Sequence, residues 1–337
     1  MAWGSTVSPL DVTDVFQEQV ISDAGSPGGL STVYKVYKGA PEHVIAIPEA
    51  YLVNVIGDGV SDNLVSPPDG SVPSATLIVP RRNNGPIVQI DLAAGQAISV
   101  QYTGFSGTRE MDTFWTWNRA RNLDDFRRGL QCFDSGTQNF AYADIQGNIA
   151  YFAASEVPLR EDLQAGTVVG LPPWFIRNGS GGNEWLPRPP QADQAIPYQI
   201  LPMDEMPHLI NPPAGWFVNA NNDPAGTVLD NNPLNQLRPG GGLYYLNAGY
   251  DAGFRAGRIT ELIQSKPGPR RGNALQRVAR SIHPQQHRRH ARQRAAAARD
   301  DAAGFPGRRR LRGGRRVHTP RASSERLRAL ITSRISA

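Results

Sequence analysis

Asn219-Ala-Asn221-Asn222-Asp223-Pro holds the residue types in this 337-residue chain best suited to chemistry. An Asn in a turn can aim a fixed amide N–H at an oxygen that gains negative charge during a reaction. An Arg nearby can hold that amide in place, and Arg255-Ala-Gly-Arg258-Ile-Thr-Glu261 lies further along the chain. The chemistry would be acyl transfer, in which an attacked carbonyl becomes an oxyanion. Read alone, Asn-Asn-Asp-Pro is equally a plain turn, because Asn and Asp bond their own backbone and tolerate left-handed geometry.

These residues need a scaffold, and the first 160 residues read mainly as strands. Residues 12–20 alternate with period two, placing Val12, Asp14, Phe16 and Val20 on one side. Residues 31–37, 75–79, 87–91 and 98–102 are rich in β-branched and aromatic side chains. Gly- and Pro-rich breaks such as 25–29 and 66–70 separate them. A helix is expected over 122–133, with Leu123, Phe126, Leu130 and Phe133 on one face and Cys132 as a buried thiol. Residues 139–144 and 149–152 read as a hairpin about the turn 145–148. Residues 157–215 are irregular, with a packed loop at 172–177. A short buried strand over 216–219 leads into the Asn turn, and a helix covers 253–263.

Charge divides the chain. Residues 1–265 carry 15 Lys and Arg against 27 Asp and Glu, and residues 266–337 carry 20 against 3. All six Trp, all ten Tyr and ten of the eleven Phe lie in the first part. The second part buries too little apolar surface to offset its chain entropy, so a disordered tail is expected from residue 266. Its Arg-, Ala- and Gly-rich runs resemble a GC-rich gene read out of frame. Such a tail would bind polyanions through charge alone, falling off with salt, and without a reading motif no specific nucleic acid is expected. One cysteine excludes an intrachain disulfide, and no apolar run reaches membrane-spanning length.

Residues 1–264 resemble the penicillin acylase family of N-terminal-nucleophile hydrolases. The resemblance is carried by WGSTV (3–7), DVTDVF (11–16), RRNNGPIV (81–88), SVQYTG (99–104), ARNLDDF (120–126), QNFAYADIQGNIAYF (138–152), NPPAGWFVNANNDP (211–224) and GRITELI (257–263). It implies an α+β fold, part of a four-layer αββα sandwich. It implies hydrolysis of the amide bond of an N-acyl small molecule through an acyl-enzyme. Val7 matches the position whose main-chain N–H contributes to the oxyanion hole, Asn221 the Asn that supplies the second donor, and Arg258 the Arg that orients it. Asp11, Thr13 and Asp14 match positions that bind a structural calcium in some members, with Asp251 as a further ligand; the same acids read as surface carboxylates if no ion binds. Arg258 likewise reads as a solvated helix charge.

The family's nucleophile is a Ser at the start of a mature chain, with its own α-amine as base. Only Met1 and Ala2 precede Trp3, so the expectation is a chain that hydrolyses no amide alone and needs a separate chain for its nucleophile. Arg82-Asn83-Asn84-Gly-Pro86 also departs from members that carry His before Gly-Pro. Missing strands predict open edges and marginal stability. The alternatives are a non-catalytic, calcium-stabilised binding protein, or nucleic-acid binding through the tail. Family members are usually exported, but no signal peptide is present and localisation stays open.

Overall fold

The alternation that begins at Val12 carries two acids inside the molecule. Val12, Asp14, Phe16, Glu18 and Val20 are all buried, while Thr13, Gln17 and Gln19 face solvent. The computed structural model describes residues 1–23, 33–68, 71–72 and 75–266. All of them fall within one compact unit, Met1–Ala279. The basic tail beyond Lys266, the break at 25–29 and the first two residues of the strand expected over 31–37 lie outside the described residues.

The chain opens with β1 (Ala2–Val7), β2 (Thr13–Ser22), β3 (Val33–Tyr37), β4 (Ala40–His43) and β5 (Ile45–Pro48). The short β6 (Val53–Asn54) and β7 (Leu64–Val65) precede β8 (Ala75–Val79), β9 (Gly85–Asp91) and β10 (Gln96–Tyr102). Two helices follow, α1 (Glu110–Trp117) and α2 (Leu123–Leu130), and then the hairpin β11 (Gln138–Ala143) and β12 (Ile149–Ala154). The last part holds α3 (Glu161–Gln164), β13 (Ile176–Asn178), β14 (His208–Ile210) and α4 (Phe254–Gln264).

The strands form two main sheets. The smaller has the order β1-β11-β12-β14, which leaves β1 at an edge. The larger has the order β4-β3-β2-β10-β9-β8-β5, with β13 added parallel to β2. The chain crosses from one sheet to the other within the corner Ser8–Val12.

The hairpin buries both faces. Phe140, Tyr142, Ala150, Phe152 and Ala154 pack with Trp117, Phe126, Leu130 and Phe133 of the helical layer. Tyr151 and Ala153 point the other way, to Leu10, Val12, Val157, Leu201 and Leu246. Trp117 stacks on Phe126 at 4.2 Å and 9° and donates its Nε1–H to Phe126 O at 2.8 Å. This contact requires glycine at 129, where a Cβ would meet Trp117 Nε1 at 2.6 Å. Asn122 caps α2 by accepting from Asp125 N at 2.8 Å. Asn122→Ala is expected to lower the unfolding free energy by about 1 kcal/mol in urea denaturation, without changing the denaturant slope.

Several expectations need correction. Residues 216–219 form no strand and are only half-buried; the backbone there feeds side-chain-capped turns rather than a ladder. Cys132 is half-buried, not a core thiol, because it lies past the end of α2. In the loop 172–177 the rings of Trp174 and Phe175 are exposed, and only Pro173 and Arg177 are buried. The helix α1 was not foreseen. The result is a strand-rich α+β fold with helices covering one face of the smaller sheet.

Candidate functional site

Two Asn side chains shape the turn that carries Asn221. Asn219 Oδ1 accepts from Asn221 N at 3.1 Å, and Asn222 Oδ1 accepts from Ala220 N at 3.0 Å. Asn221 itself adopts φ +59°, left-handed geometry that Asn accepts more readily than most residues. Its side chain reaches the edge strand β1. There Nδ2 donates to Val7 O at 2.6 Å and to Thr6 Oγ1 at 2.8 Å. Two residues separated by more than two hundred positions are thus in direct contact.

Val7 presents its polar groups to the open side of β1. Ser8 N donates inward to Thr137 O at 3.0 Å. Successive strand residues point their N–H and C=O to opposite sides, so those of Val7 leave by the open edge. The Val7 N–H and the Asn221 amide therefore lie along the same edge, where Val7 is 58% exposed.

The guanidinium that holds Asn221 belongs to Arg255, in the first turn of α4. Arg255 Nη2 donates to Asn221 Oδ1 at 2.8 Å and to Ala220 O at 2.6 Å, and it pairs with Asp251. Asp251 N in turn donates to Asn221 O at 3.1 Å. Arg258 lies one turn further along and pairs with Glu261 at 2.7 Å. The guanidinium in contact with the Asn221 oxygen is thus that of Arg255, three residues before the Arg258 expected there. The sequence offered two arginines three apart, and Arg255 lies in the first turn of α4, next to the Asn221 turn.

Asp11 and Asp14 come together at the corner, but around a guanidinium. Arg160 Nε donates to Asp14 Oδ2 at 2.8 Å, and its Nη2 lies 3.5 Å from Asp11 Oδ2 and 3.3 Å from Asp11 O. Trp185 Nε1 also donates to Asp14 Oδ2, and Tyr245 OH donates to Asp11 Oδ2 at 2.6 Å. Burial pushes the Asp11 carboxyl above its ordinary range, and Arg160 pulls the other way. Burial alone would lower the Arg160 guanidinium, but Asp14 and Asp11 outweigh it and hold it above its usual value. Calcium takes six to eight oxygens and no competing cation. Here Arg160 stands between the carboxylates, and the exposed Asp251 is bound to Arg255 at the Asn221 turn instead. Among the described residues no group of three His, Cys, Asp or Glu side chains fits a metal. This donor set does not suit the calcium expected at Asp11, Thr13, Asp14 and Asp251.

The penicillin amidase family model matches residues 1–321. The chain belongs to the penicillin amidase family. Its similarity to penicillin G acylase of Escherichia coli is 25% identity over 226 residues, which are 66% of this chain and 22% of that protein. It also resembles the solved thermostable penicillin G acylase of Alcaligenes faecalis, with TM-score 0.50 and 22% identity over 79% of this chain and 38% of that one. The chain thus spans well under half the length of each relative.

This penicillin amidase family member carries a second buried acid cluster, at the end of β12. Glu156 accepts from Ala195 N at 2.7 Å and from Ile196 N at 3.0 Å. Burial pushes its carboxyl up to about 7, outweighing those two bonds, and Asp134 nearby adds to the rise. Its folded value lies above its unfolded one. The stability it confers is therefore complete below about pH 4.5 and is lost as pH rises through about 7. Glu156→Gln cannot ionise, and it is expected to flatten stability against pH by roughly 2–3 kcal/mol across that window. Urea midpoints at pH 5 and pH 8 check this, and an unchanged slope in the variant would remove Glu156 as its source.

Proposed function

We propose that residues 1–266 form the anion-binding half of an N-acyl amide hydrolase site. The single observation that carries this reading is the Asn221 amide, held by Arg255 against the Val7 main chain at an open strand edge. In the reaction, the substrate carbonyl oxygen takes up electrons as the nucleophile adds. The Val7 N–H and Asn221 Nδ2 would meet that oxygen without reorganising the fold, which is the condition under which such donors lower a barrier. Arg255 donates to Asn221 Oδ1, so Nδ2 is the end that faces the substrate.

The nucleophile comes from another segment or a separate chain. Thr6 Oγ1, the hydroxyl in contact with Asn221, accepts a hydrogen bond there. Among the described residues no base is hydrogen-bonded to it. A strand laid along the free edge of β1 could place a nucleophile beside both donors, and the complete fold would then be the αββα sandwich of this family.

The test uses the purified 337-residue chain with chromogenic amides of phenylacetic and aliphatic acids, before and after supplying the nucleophile-bearing segment of a penicillin G acylase. Hydrolysis only in the mixture, abolished by Asn221→Ala, is the expected result. Steady turnover by this chain alone, unaffected by Asn221→Ala, would overturn the reading.

A further inference from the structure

In the resting structure the donors of Asn221 are both in use. Its amide has two protons, and they go to Val7 O and Thr6 Oγ1. Binding an anionic oxygen therefore means giving one of these up. Val7 O accepts from a second side chain as well, so it keeps a protein donor when Asn221 lets go.

That donor is Asn139. It lies opposite Thr6 in β11 and is 3% exposed, and its Nδ2 donates to Val7 O at 2.9 Å. The amide could face either way, and Tyr151 decides it. Tyr151 OH donates to Asn139 Oδ1 at 2.5 Å from the neighbouring strand β12. A flipped Asn139 would set its oxygen against Val7 O. Burial, and after it Asp223, pushes the Tyr151 hydroxyl above its ordinary range, so it keeps its proton.

We propose that Asn139, oriented by Tyr151, is the positioning residue that frees Asn221 for an anionic ligand by remaining bonded to Val7 O when Asn221 lets go. The inference rests on the oxyanion reading above. It adds a buried Tyr–Asn pair on the inner face of the sheet, which touches no substrate and acts through the Val7 main chain.

The experiment is ¹H–¹⁵N NMR of the full 337-residue chain, titrated with phenylacetate as a carboxylate probe. In the unaltered protein the Val7 N–H and the Asn221 side-chain amide signals should shift together and saturate. Tyr151→Phe removes one hydroxyl and keeps the ring, and Asn139→Leu removes the amide. Each is expected to weaken phenylacetate about tenfold while the signals of residues remote from β1 stay in place. Asn139→Asp, which keeps the shape but has no proton to donate at neutral pH, should weaken it equally. Should Asn139→Leu fail to fold, Tyr151→Phe alone decides. Undiminished affinity in folded Tyr151→Phe, whatever its melting temperature, would overturn the inference and leave the oxyanion reading standing. If the unaltered chain shows no shift at Val7 or Asn221, the oxyanion reading itself fails.

Discussion

Arg160→Met is expected to lower the unfolding free energy by about 3–5 kcal/mol, the cost of leaving buried charge without its partner. Arg160 is 1% exposed, and Asp14 is fully buried. Together with Asp11 they form a compact ionic group in which one guanidinium serves two carboxylates. Methionine fills similar volume but supplies no proton. Asp14 would keep Trp185 and Asp11 would keep Tyr245, and neither neutralises a charge. Two like charges would then face each other in a dry corner. In the variant the Asp11 carboxyl, already raised by burial, loses the opposing pull of Arg160 and should rise further, so stability should fall as pH increases through its raised value. Urea denaturation at two pH values reads both effects. Arg160→Met combined with Asp14→Asn should recover much of the loss, because the pair is coupled. A single variant as stable as the parent would mean that this ionic group does not hold the corner.

Asn221→Ala should reduce amide turnover by about 100- to 1000-fold in an assembly that contains the nucleophile, the usual cost of one oxyanion donor. Arg255→Met should cost roughly 10- to 100-fold, matching the loss of one charged hydrogen bond. Arg258→Met should cost less than Arg255→Met, since its ion pair with Glu261 is exposed. KM should move far less than kcat in the first two variants, because the interaction strengthens as the oxyanion forms. The order of the two arginines is the discriminating result. An Arg258 variant as impaired as the Arg255 variant would contradict the geometry in which Arg255 Nη2 reaches Asn221 Oδ1 at 2.8 Å.

Much of the scaffold was legible because it rests on local periodicity. The alternation from Val12 gave β2, the paired runs about 145–148 gave the β11–β12 hairpin, and the apolar spacing after Asn122 gave α2. The helix α1 was missed because Glu110–Trp117 is rich in Thr and aromatic residues, whose propensity favours strands, and its packing on α2 overrides that. The contact of Asn221 with Val7 could be anticipated from the family pattern but from no local rule.

Arg160 shows where local reading stops. It lies in an irregular stretch, 146 residues from the Asp14 it pairs with. One signal did exist. Asp14 and Glu18 share the inward phase of β2 with Val12, Phe16 and Val20, and acids in that phase demand cations. Glu18 duly meets Lys35 at 2.9 Å and Arg82 at 3.0 Å. The pattern announces that cations must arrive, but not which ones, because the answer depends on folding of distant loops.

The passage between the two sheets takes only the residues from Ser8 to Val12, and Asp11 within it belongs to the ionic group that Arg160 and Asp14 complete. Val7 is therefore braced by the same residues that anchor the hydrophobic interior, with no hinge between them. Heat should accordingly abolish ligand capture and global structure in one event, whereas a site carried on a loose surface excursion would fail first.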